Sequence, residues 1–267
     1  NLEPRPTGGS KSPLDEEDAN AVLRWLVESH PDATLDELVI RLNDELGLQT
    51  NDSSVSAALS RMGLTRKKKS YIHNRRLDDD VKAEREAFIN RQPTLSTGDL
   101  VFIDEAGVNQ SMTPSYGRSP AGERVHEHRP STRTAKTSLV GAITVDGVVD
   151  VGYVDGSYNA EKFLSWITEA LLPKLSPGMV IIWDNIKFHA NPLVVAAVLG
   201  AGCTIAKMPP YSPDLNPIEE AWSKVKHYIR AAKARTREAL REAIEAAVKR
   251  VVPADTRGWV GHAGYSV

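Results

Sequence analysis

Two aspartates stand where their carboxylates could act together on a phosphodiester. Asp104 follows the apolar run 100–103, and Asp184 follows the apolar run 179–183. Both runs are short and partly β-branched, which is typical of strands buried on both faces of a sheet. We therefore expect each carboxylate at a point where a strand leaves the core.

A third carboxylate, Glu219, stands on the first turn of a predicted helix, directly after the proline-bounded segment 211–217. The 34 residues between Asp184 and Glu219 leave room for a helix, a strand and a turn that return the chain to the sheet. Taken singly, each acid is more simply a cap or turn residue. Their joint occurrence with the segment 211–217 favours one shared site.

The chemistry of such a site follows from its charge. Three neighbouring carboxylates repel one another unless divalent cations that prefer oxygen ligands neutralise them. Two Mg²⁺ ions about 3.5–4 Å apart can activate the attacking oxygen and stabilise the leaving oxygen of an in-line phosphodiester displacement. The sequence therefore predicts metal-dependent phosphoryl transfer.

Neighbouring residues leave some assignments open. Glu105 and Glu220 each adjoin a proposed ligand, and a one-residue step turns a side chain away on a strand or by about 100° on a helix. Asp104 is preferred because it directly continues its strand, whereas spacing alone does not separate Glu219 from Glu220. Asn185 and His189 could support the ligands, although a histidine after a strand is more often structural. Trp183 and Trp222 are expected in the core.

Composition sets the wider limits. A chain of 267 residues can hold one large domain and a small one. Its single cysteine, Cys203, excludes an intramolecular disulfide and a cysteine-rich zinc site, which favours a reducing cytoplasm. No apolar run is long enough to span a membrane, and no signal peptide is visible. The chain begins at Asn1 rather than Met, so we expect that a leading portion is missing.

The charge distribution indicates a nucleic-acid partner although the net charge is −2. No acidic residue interrupts the stretch 61–76, and a second basic cluster, which includes Lys224, follows Glu219. A basic loop at 118–136 begins with Arg118; either it contacts DNA or it is a solvated hairpin. The basic residues of the first stretch are Arg61, Arg66, Lys67, Lys68, Lys69, Arg75 and Arg76.

Residues 12–63 read as three helices. The first opens at Ser12 and Pro13 and ends near His30. A capping box of Thr34 and Glu37 opens the second, and Gly47 ends it.

The third helix of this module, at about 53–62, presents short polar side chains outward. Three such helices predict a helix-turn-helix domain whose last helix enters the major groove; the alternative is a plain bundle used for packing or dimerisation. Arg5, in a proline-rich arm, could reach a minor groove, or the arm is only a linker. The outward residues are Ser54, Ser56, Ser60 and Arg61.

The remaining pattern alternates strands and helices. A charged helix at 78–92 precedes the strand of Asp104. Its apolar side is expected to hold Val81, Ala83, Ala87, Phe88 and Ile89. Asp146 and Gly147 join two strands in a predicted hairpin. Further predicted elements are a helix at 159–172, a helix at 192–199, a strand at 204–208 and one long helix after residue 217.

Five sets of residues carry a family resemblance. The segment Tyr-Ser-Pro-Asp-Leu-Asn-Pro-Ile-Glu at 211–219 is the most specific of them. With the others, it resembles the DDE transposases of the mariner superfamily, in particular the bacterial insertion-sequence branch, over essentially the whole chain. The other sets are Asp104 with Glu105, residues 116–122, residues 138–147, and Asp184 with Asn185 and His189.

The resemblance implies an α/β fold: a ribonuclease H-like catalytic domain, with a mixed five-stranded sheet flanked by helices, preceded by an all-α helix-turn-helix domain. It implies that Asp104, Asp184 and Glu219 are catalytic and bind two Mg²⁺ ions, for which Mn²⁺ can substitute. Such enzymes cut phosphodiester bonds at the ends of an element and join the freed 3′-OH to target DNA, typically at TA.

The predicted domains are a basic, proline-containing arm (1–11), the helix-turn-helix domain with its basic tail (12–76), a linker helix (77–97) and the catalytic domain (98–267). The expected partners are double-stranded DNA, as terminal inverted repeats and a TA target, and a second copy of the chain in a synaptic complex. The expected location is the bacterial cytoplasm, at the nucleoid.

Many members carry two helix-turn-helix units; the one visible here resembles the second, and the first would precede Asn1. Two alternatives remain: a non-catalytic, transposase-derived DNA-binding regulator, or another ribonuclease H-like nuclease. An integrase would need a zinc-binding His/Cys domain that one cysteine cannot supply.

Overall fold

The computed structural model describes residues 14, 16–67, 73–128, 130, 136–186 and 188–267. The chain forms two compact units, Asn1–Tyr71 and Ile72–Val267. Within the described residues, no helix is both long and apolar enough to cross a bilayer.

The first unit is a bundle of three helices: α1 (Glu17–Ser29), α2 (Leu35–Leu46) and α3 (Asp52–Arg61). The predicted capping box is present, since Thr34 N donates to Glu37 Oε2 at 2.7 Å and Glu37 N donates to Thr34 Oγ1 at 3.3 Å.

The apolar stripes of the three helices meet in one small core. Its fully buried members are Leu14, Leu23, Leu42, Val55 and Ala58. Helix α1 begins later than the predicted start at residue 12, because Leu14 already packs into this core before the first helical turn. Ser12 and Pro13 lie outside the described residues.

The second unit contains a five-stranded sheet and six helices among its described residues. Helix α5 continues directly into a π-helical turn, Trp166–Leu171. The elements are α4 (Asp79–Arg91), β1 (Leu100–Val108), β2 (Thr137–Thr144), β3 (Gly147–Asp155), α5 (Ala160–Ser165), β4 (Val180–Trp183), α6 (Pro192–Gly200), β5 (Thr204–Lys207), α7 (Ile218–Ala232), α8 (Arg237–Val248) and α9 (Pro253–His262).

The sheet has the strand order β3-β2-β1-β4-β5. Strand β2 pairs antiparallel with both β1 and β3, and β4 and β5 extend the sheet in parallel from β1. The tight turn at 145–146 that joins β2 to β3 is the predicted hairpin. The mixed five-stranded sheet flanked by helices, preceded by an all-helical region, confirms the predicted fold class.

The two faces of the sheet carry separate cores. On one face, Phe102 and Leu139 pack with Trp222 and helices α7 to α9. On the other face, Ile103 and Trp183 pack with α5, α6 and the buried Cys203. Because successive strand residues point to opposite faces, Asp104 lies on the α7 side and Glu105 on the α5 side of β1.

Three expectations about elements were wrong in detail. Asp104 lies inside β1 rather than at its end, because the antiparallel pairing with β2 continues to Val108 after the parallel pairing with β4 stops at Phe102. The single long helix expected after residue 217 is three helices, because Lys233 takes a left-handed conformation with φ 50° and ends α7.

The third concerns α4. Of its expected apolar side, Val81 is buried and Phe88 half-buried, but Ala83, Ala87 and Ile89 are exposed. Arg85, which was not expected there, is buried instead.

Candidate active site

Strand register brings the first two carboxylates to one level of the sheet. The last parallel pair of β1 and β4 is Phe102 with Ile182. Asp104 and Asp184 each follow two residues later, so both lie just beyond that pair. Asp184 is the first residue after β4.

The third carboxylate is carried to the same place by the start of α7. Asn216 donates from Nδ2 to the carbonyl of Ile103 at 3.4 Å, and its Oδ1 accepts from Ile218 N at 3.4 Å. These bonds tie the first turn of α7 to β1 at the residue before Asp104. Glu219, the second residue of α7, therefore faces the end of the β1–β4 ladder.

A glycine in β2 allows α7 to approach the sheet. Gly141 pairs with Asp104 across the β1–β2 ladder. A Cβ at this position would lie 2.7 Å from Cη2 of Trp222, one helical turn after Glu219. Trp222 is buried, as expected, and its contact with the glycine sets the distance between α7 and Asp104.

The loop before α7 is anchored by an ion-pair cluster. Arg85, whose side chain is buried, donates to both oxygens of Asp214 at 3.1 and 2.9 Å, and Arg76 donates to Oδ2 at 3.0 Å. Burial acts against the charge of Asp214, but the two guanidinium groups hold its pKa below the ordinary value. Nearby, the rings of His73 and Tyr211 stack with centroids 4.2 Å apart.

The three carboxylates influence one another electrostatically. Burial raises the pKa of Asp104 to about 8, and Glu219, Glu105 and Asp184 add to the shift. Burial also raises the pKa of Glu219; Lys226 acts in the opposite direction, and Asp184 adds to the rise. This mutual effect is what closely placed carboxylates produce without a counter-ion.

His189 contacts two acidic side chains, Glu105 and Asp184, from the α5 side of the sheet. It donates from Nε2 to Glu105 Oε1 at 2.8 Å and from Nδ1 to Asp184 Oδ1 at 3.0 Å. Burial opposes its charge, but these hydrogen bonds outweigh that effect and raise the pKa of His189 to about 9. Asn185 instead turns away from these acids, and its Nδ2 donates to the carbonyl of Met208, the residue after β5, at 2.9 Å.

The donor chemistry fits a divalent cation. Carboxylate oxygens are the ligands that Mg²⁺ prefers, and a cation would relieve both the burial of the Asp104 charge and the repulsion from neighbouring carboxylates that together raise its pKa. One buried oxygen, Glu105 Oε2, has no hydrogen-bond partner among the described residues. In the same part of the chain, no group of three or more His, Cys, Asp or Glu side chains is already arranged as a metal site.

The predicted DNA contacts of the first unit are partly exposed. Ser56 and Ser60 are exposed on α3, whereas Ser54 is half-exposed, and its backbone N–H donates to Asn51 Oδ1. Arg61 is exposed and donates to the carbonyl of Leu14 at 3.3 Å. Arg66 and Lys67 are exposed after α3, whereas Arg5, Lys68 and Lys69 lie outside the described residues.

The predicted contacts of the second unit are mostly engaged in ion pairs. Arg75 pairs with Asp78 at 3.1 Å, Arg76 with Asp214, and Lys224 with Asp255. Arg118 is exposed in the loop after β1. Arg75, Arg76 and Lys224 therefore each have an acidic partner that a DNA phosphate would have to replace.

Two features were missed from the sequence. The pairing of Glu105 with His189 joins positions 84 residues apart, and no local pattern marks it. Arg85 was detectable in principle, since Val81, Arg85 and Phe88 follow helical spacing and place an arginine on a buried stripe.

Comparisons with known proteins identify the family and the fold of the chain. A family model described as DDE superfamily endonuclease matches residues 99–241. None of the curated proteins compared with the chain matches it.

Three solved structures show the same fold at low sequence identity. A Mos1 transposase paired-end complex with left transposon end has a TM-score of 0.70 and 18% identity, over 99% of this chain and 80% of that one. The Mos1 strand transfer complex gives 0.66 and 19%, over 96% and 77%. A mariner Mos1 paired-end complex with Mg gives 0.63 and 18%, over 100% and 85%.

Proposed function

The chain belongs to the DDE superfamily endonucleases, and on that premise we propose that it is a DNA transposase. It would cut phosphodiester bonds at the ends of an element and join the 3′-OH to target DNA, at TA. One observation carries the proposal: three carboxylates meet at one edge of the sheet, where burial raises the pKa of Asp104 to about 8 and the charges of Glu219 and Asp184 add to the shift.

Asp104, Asp184 and Glu219 are proposed to hold two Mg²⁺ ions, for which Mn²⁺ can substitute. When bound, such ions activate the attacking oxygen and stabilise the leaving oxygen of the phosphodiester. The protein's own contribution is placement. Asn216 fixes the first turn of α7 against β1, and Trp222 sets the depth of that helix, so Glu219 is held at the edge where Asp104 lies.

DNA recognition is assigned to the first unit and its basic tail. Ser56, Ser60 and Arg61 would face the major groove, and Arg66 and Lys67 would contact backbone phosphates. The ligands are terminal inverted repeats, and the active assembly is a homodimer because two element ends must be cut and joined together. The proposed place of action is the bacterial cytoplasm, at the nucleoid, in the bacterial insertion-sequence branch of the mariner superfamily.

The test uses a duplex that carries the element's terminal repeat, read from the DNA flanking the gene. With Mg²⁺, the wild-type chain should nick the end of the repeat. Asp104→Asn, Asp184→Asn and Glu219→Gln should each slow cutting by about 100-fold or more, since a lost ligand forfeits several kcal/mol of transition-state stabilisation.

Glu220→Gln is the matched control, because it removes the neighbouring carboxylate on α7 and should leave most of the cutting rate. Cutting by Asp184→Asn at the wild-type rate would refute the assignment. Tight repeat binding by a wild-type chain that never cuts would instead indicate a DNA-binding regulator.

A further inference from the structure

We propose that His189, held by Glu105, is a positioning residue that fixes the Asp184 carboxylate for cation binding. This inference rests on the proposed function and extends it to two residues that are not themselves proposed ligands. Three features of the described residues support it: the hydrogen bonds on Asp184, the surroundings of the imidazole, and the direction in which Glu105 points.

The Asp184 carboxylate is held through one of its two oxygens. Oδ1 accepts from the backbone N of Ile186 at 3.1 Å and from His189 Nδ1 at 3.0 Å. His189 Nδ1 also lies 3.2 Å from the backbone carbonyl of Asp184. Two donors on the same oxygen restrict rotation of the carboxylate and present Oδ2 in one direction, as a preorganised ligand requires.

The imidazole cannot easily turn away. Its ring is 1% exposed and stacks on Trp183 with centroids 5.1 Å apart and an interplanar angle of 22°. The ring of Phe163 lies 4.6 Å away on another side. A flip of the ring would place carbon atoms where Nδ1 faces Asp184 and Nε2 faces Glu105, and both contacts would be lost. The hydrogen bonds therefore fix which way the packed ring faces.

Glu105 completes the support from the opposite face of the sheet. Because it adjoins Asp104 on β1, its side chain points to the α5 side, where its Oε1 receives His189 Nε2 at 2.8 Å. The two adjacent acids of β1 therefore have different roles. Asp104 faces the carboxylate cluster, and Glu105 orients the histidine that contacts Asp184. Hydrogen-bonded partners behind metal ligands typically change metal affinity by 10–100-fold when removed.

The test measures Mn²⁺ binding by the full chain, from the electron paramagnetic resonance signal of free Mn²⁺, with no DNA present. His189→Phe keeps an aromatic ring beside Trp183 and Phe163 but removes both donors, and it should weaken Mn²⁺ binding by about 10–100-fold. His189→Asn restores a donor near the Nδ1 position and should recover most of the affinity. A role in packing alone predicts the reverse order.

His227→Phe is the control, since His227 is exposed on α7, and it should bind Mn²⁺ as the wild type does. If His189→Phe does not fold, Glu105→Gln carries the test; this isosteric change should weaken binding by about 10-fold, the lower end of the same range. Unchanged affinity in a folded His189→Phe or Glu105→Gln chain would overturn the positioning role.

Failure of the proposed function looks different. If Asp184→Asn weakens Mn²⁺ binding but His189→Phe does not, only the positioning role is lost. If the wild-type chain and Asp184→Asn bind Mn²⁺ equally poorly, the metal site itself is wrong, and the inference is overturned with it.

Discussion

Asp104 keeps its proton to a pH at which ordinary aspartates have long been ionised. Its pKa of about 8 arises from burial first and from three neighbouring carboxylates second. The neighbouring His189 is perturbed as well, with a pKa of about 9. If the proposed metal site is correct, the proton on Asp104 would compete with a cation, and this competition would weaken as the pH rises.

This perturbation predicts how stability depends on pH without metal. Between pH 3.8 and about 8, the folded chain retains a proton on Asp104 that the unfolded chain has lost. The free energy of unfolding should therefore fall as the pH rises through this window. Thermal unfolding in EDTA at several pH values would measure it, and Asp104→Asn should fall less steeply than the wild type.

Deprotonation of His189 also lowers the free energy of unfolding as the pH rises. The comparison with Asp104→Asn is therefore needed to isolate the contribution of Asp104. The contribution of His189 is complete below pH 6.5 and is lost as the pH rises through about 9. Parallel curves for the wild type and Asp104→Asn would contradict the assigned pKa of Asp104.

At this scale, the sequence predicted that three carboxylates converge, but not which side chains surround them. Asp104, Asp184 and Glu219 were selected from strand and helix positions, and their catalytic roles stay predictions. His189 was a candidate for supporting a ligand, but its bond to Glu105 depends on the strand register and on the turn at 188–190. No local sequence pattern predicts this register or this turn.

At the scale of elements, the contact between α7 and β2 controls the site. Gly141 leaves no room for a side chain because Trp222 fills the space above it. The sequence predicted that Trp222 is buried, but it did not predict that the indole ring packs against Gly141 of β2. A strand glycine has several common causes, and only the packed structure identifies this one.

A methyl group at this contact should displace α7. Gly141→Ala should lower stability by about 1–3 kcal/mol, as overpacking does, and should reduce DNA cutting more than it reduces DNA binding because Glu219 moves with the helix. Chemical denaturation and the cutting assay would measure these two effects.

Gly258→Ala is the matched control. It lies inside α9 with open space around its Cβ position, so it should raise stability by about 0.4–1 kcal/mol. Adding Trp222→Phe to Gly141→Ala should recover part of the loss. A neutral Gly141→Ala would show that α7 does not depend on this contact.

Helix boundaries were predicted well where a side chain caps them. Thr34 and Gly47 mark the two ends of α2, and both were recognised. The end of α7 was missed because Lys233 adopts the left-handed conformation that glycine or asparagine normally marks. Arg85 was missed because its partner, Asp214, lies 129 residues away.

At the scale of the whole molecule, the chain separates into a helical unit and a sheet unit. Sequence periodicity was sufficient to predict both, because the stripes of α1 and α2 and the apolar runs of β1 and β4 are unambiguous. The net charge of −2 conceals basic tails and loops that the proposed DNA binding would use.

The salt dependence of DNA binding tests whether the basic residues after α3 contact DNA phosphates. Replacing Arg66 and Lys67 by alanine should reduce the slope of log K against log salt by about 0.9 for each phosphate that the variant no longer neutralises. Fluorescence anisotropy with a duplex at several salt concentrations would measure it. Lys82→Ala, which removes an exposed cation paired with Asp79 on α4, should leave the slope unchanged. An unchanged slope in the double variant would exclude this tail from the DNA interface.

Cys203 gives the chain a practical property. It is the single cysteine in the sequence and is 2% exposed, and burial raises the pKa of its thiol. Since the thiolate is the form that reacts with maleimide dyes, this cysteine should label poorly. A cysteine introduced at the exposed Ser56 would therefore accept one fluorophore selectively, and single-molecule spectroscopy could begin from the natural sequence without first removing a thiol.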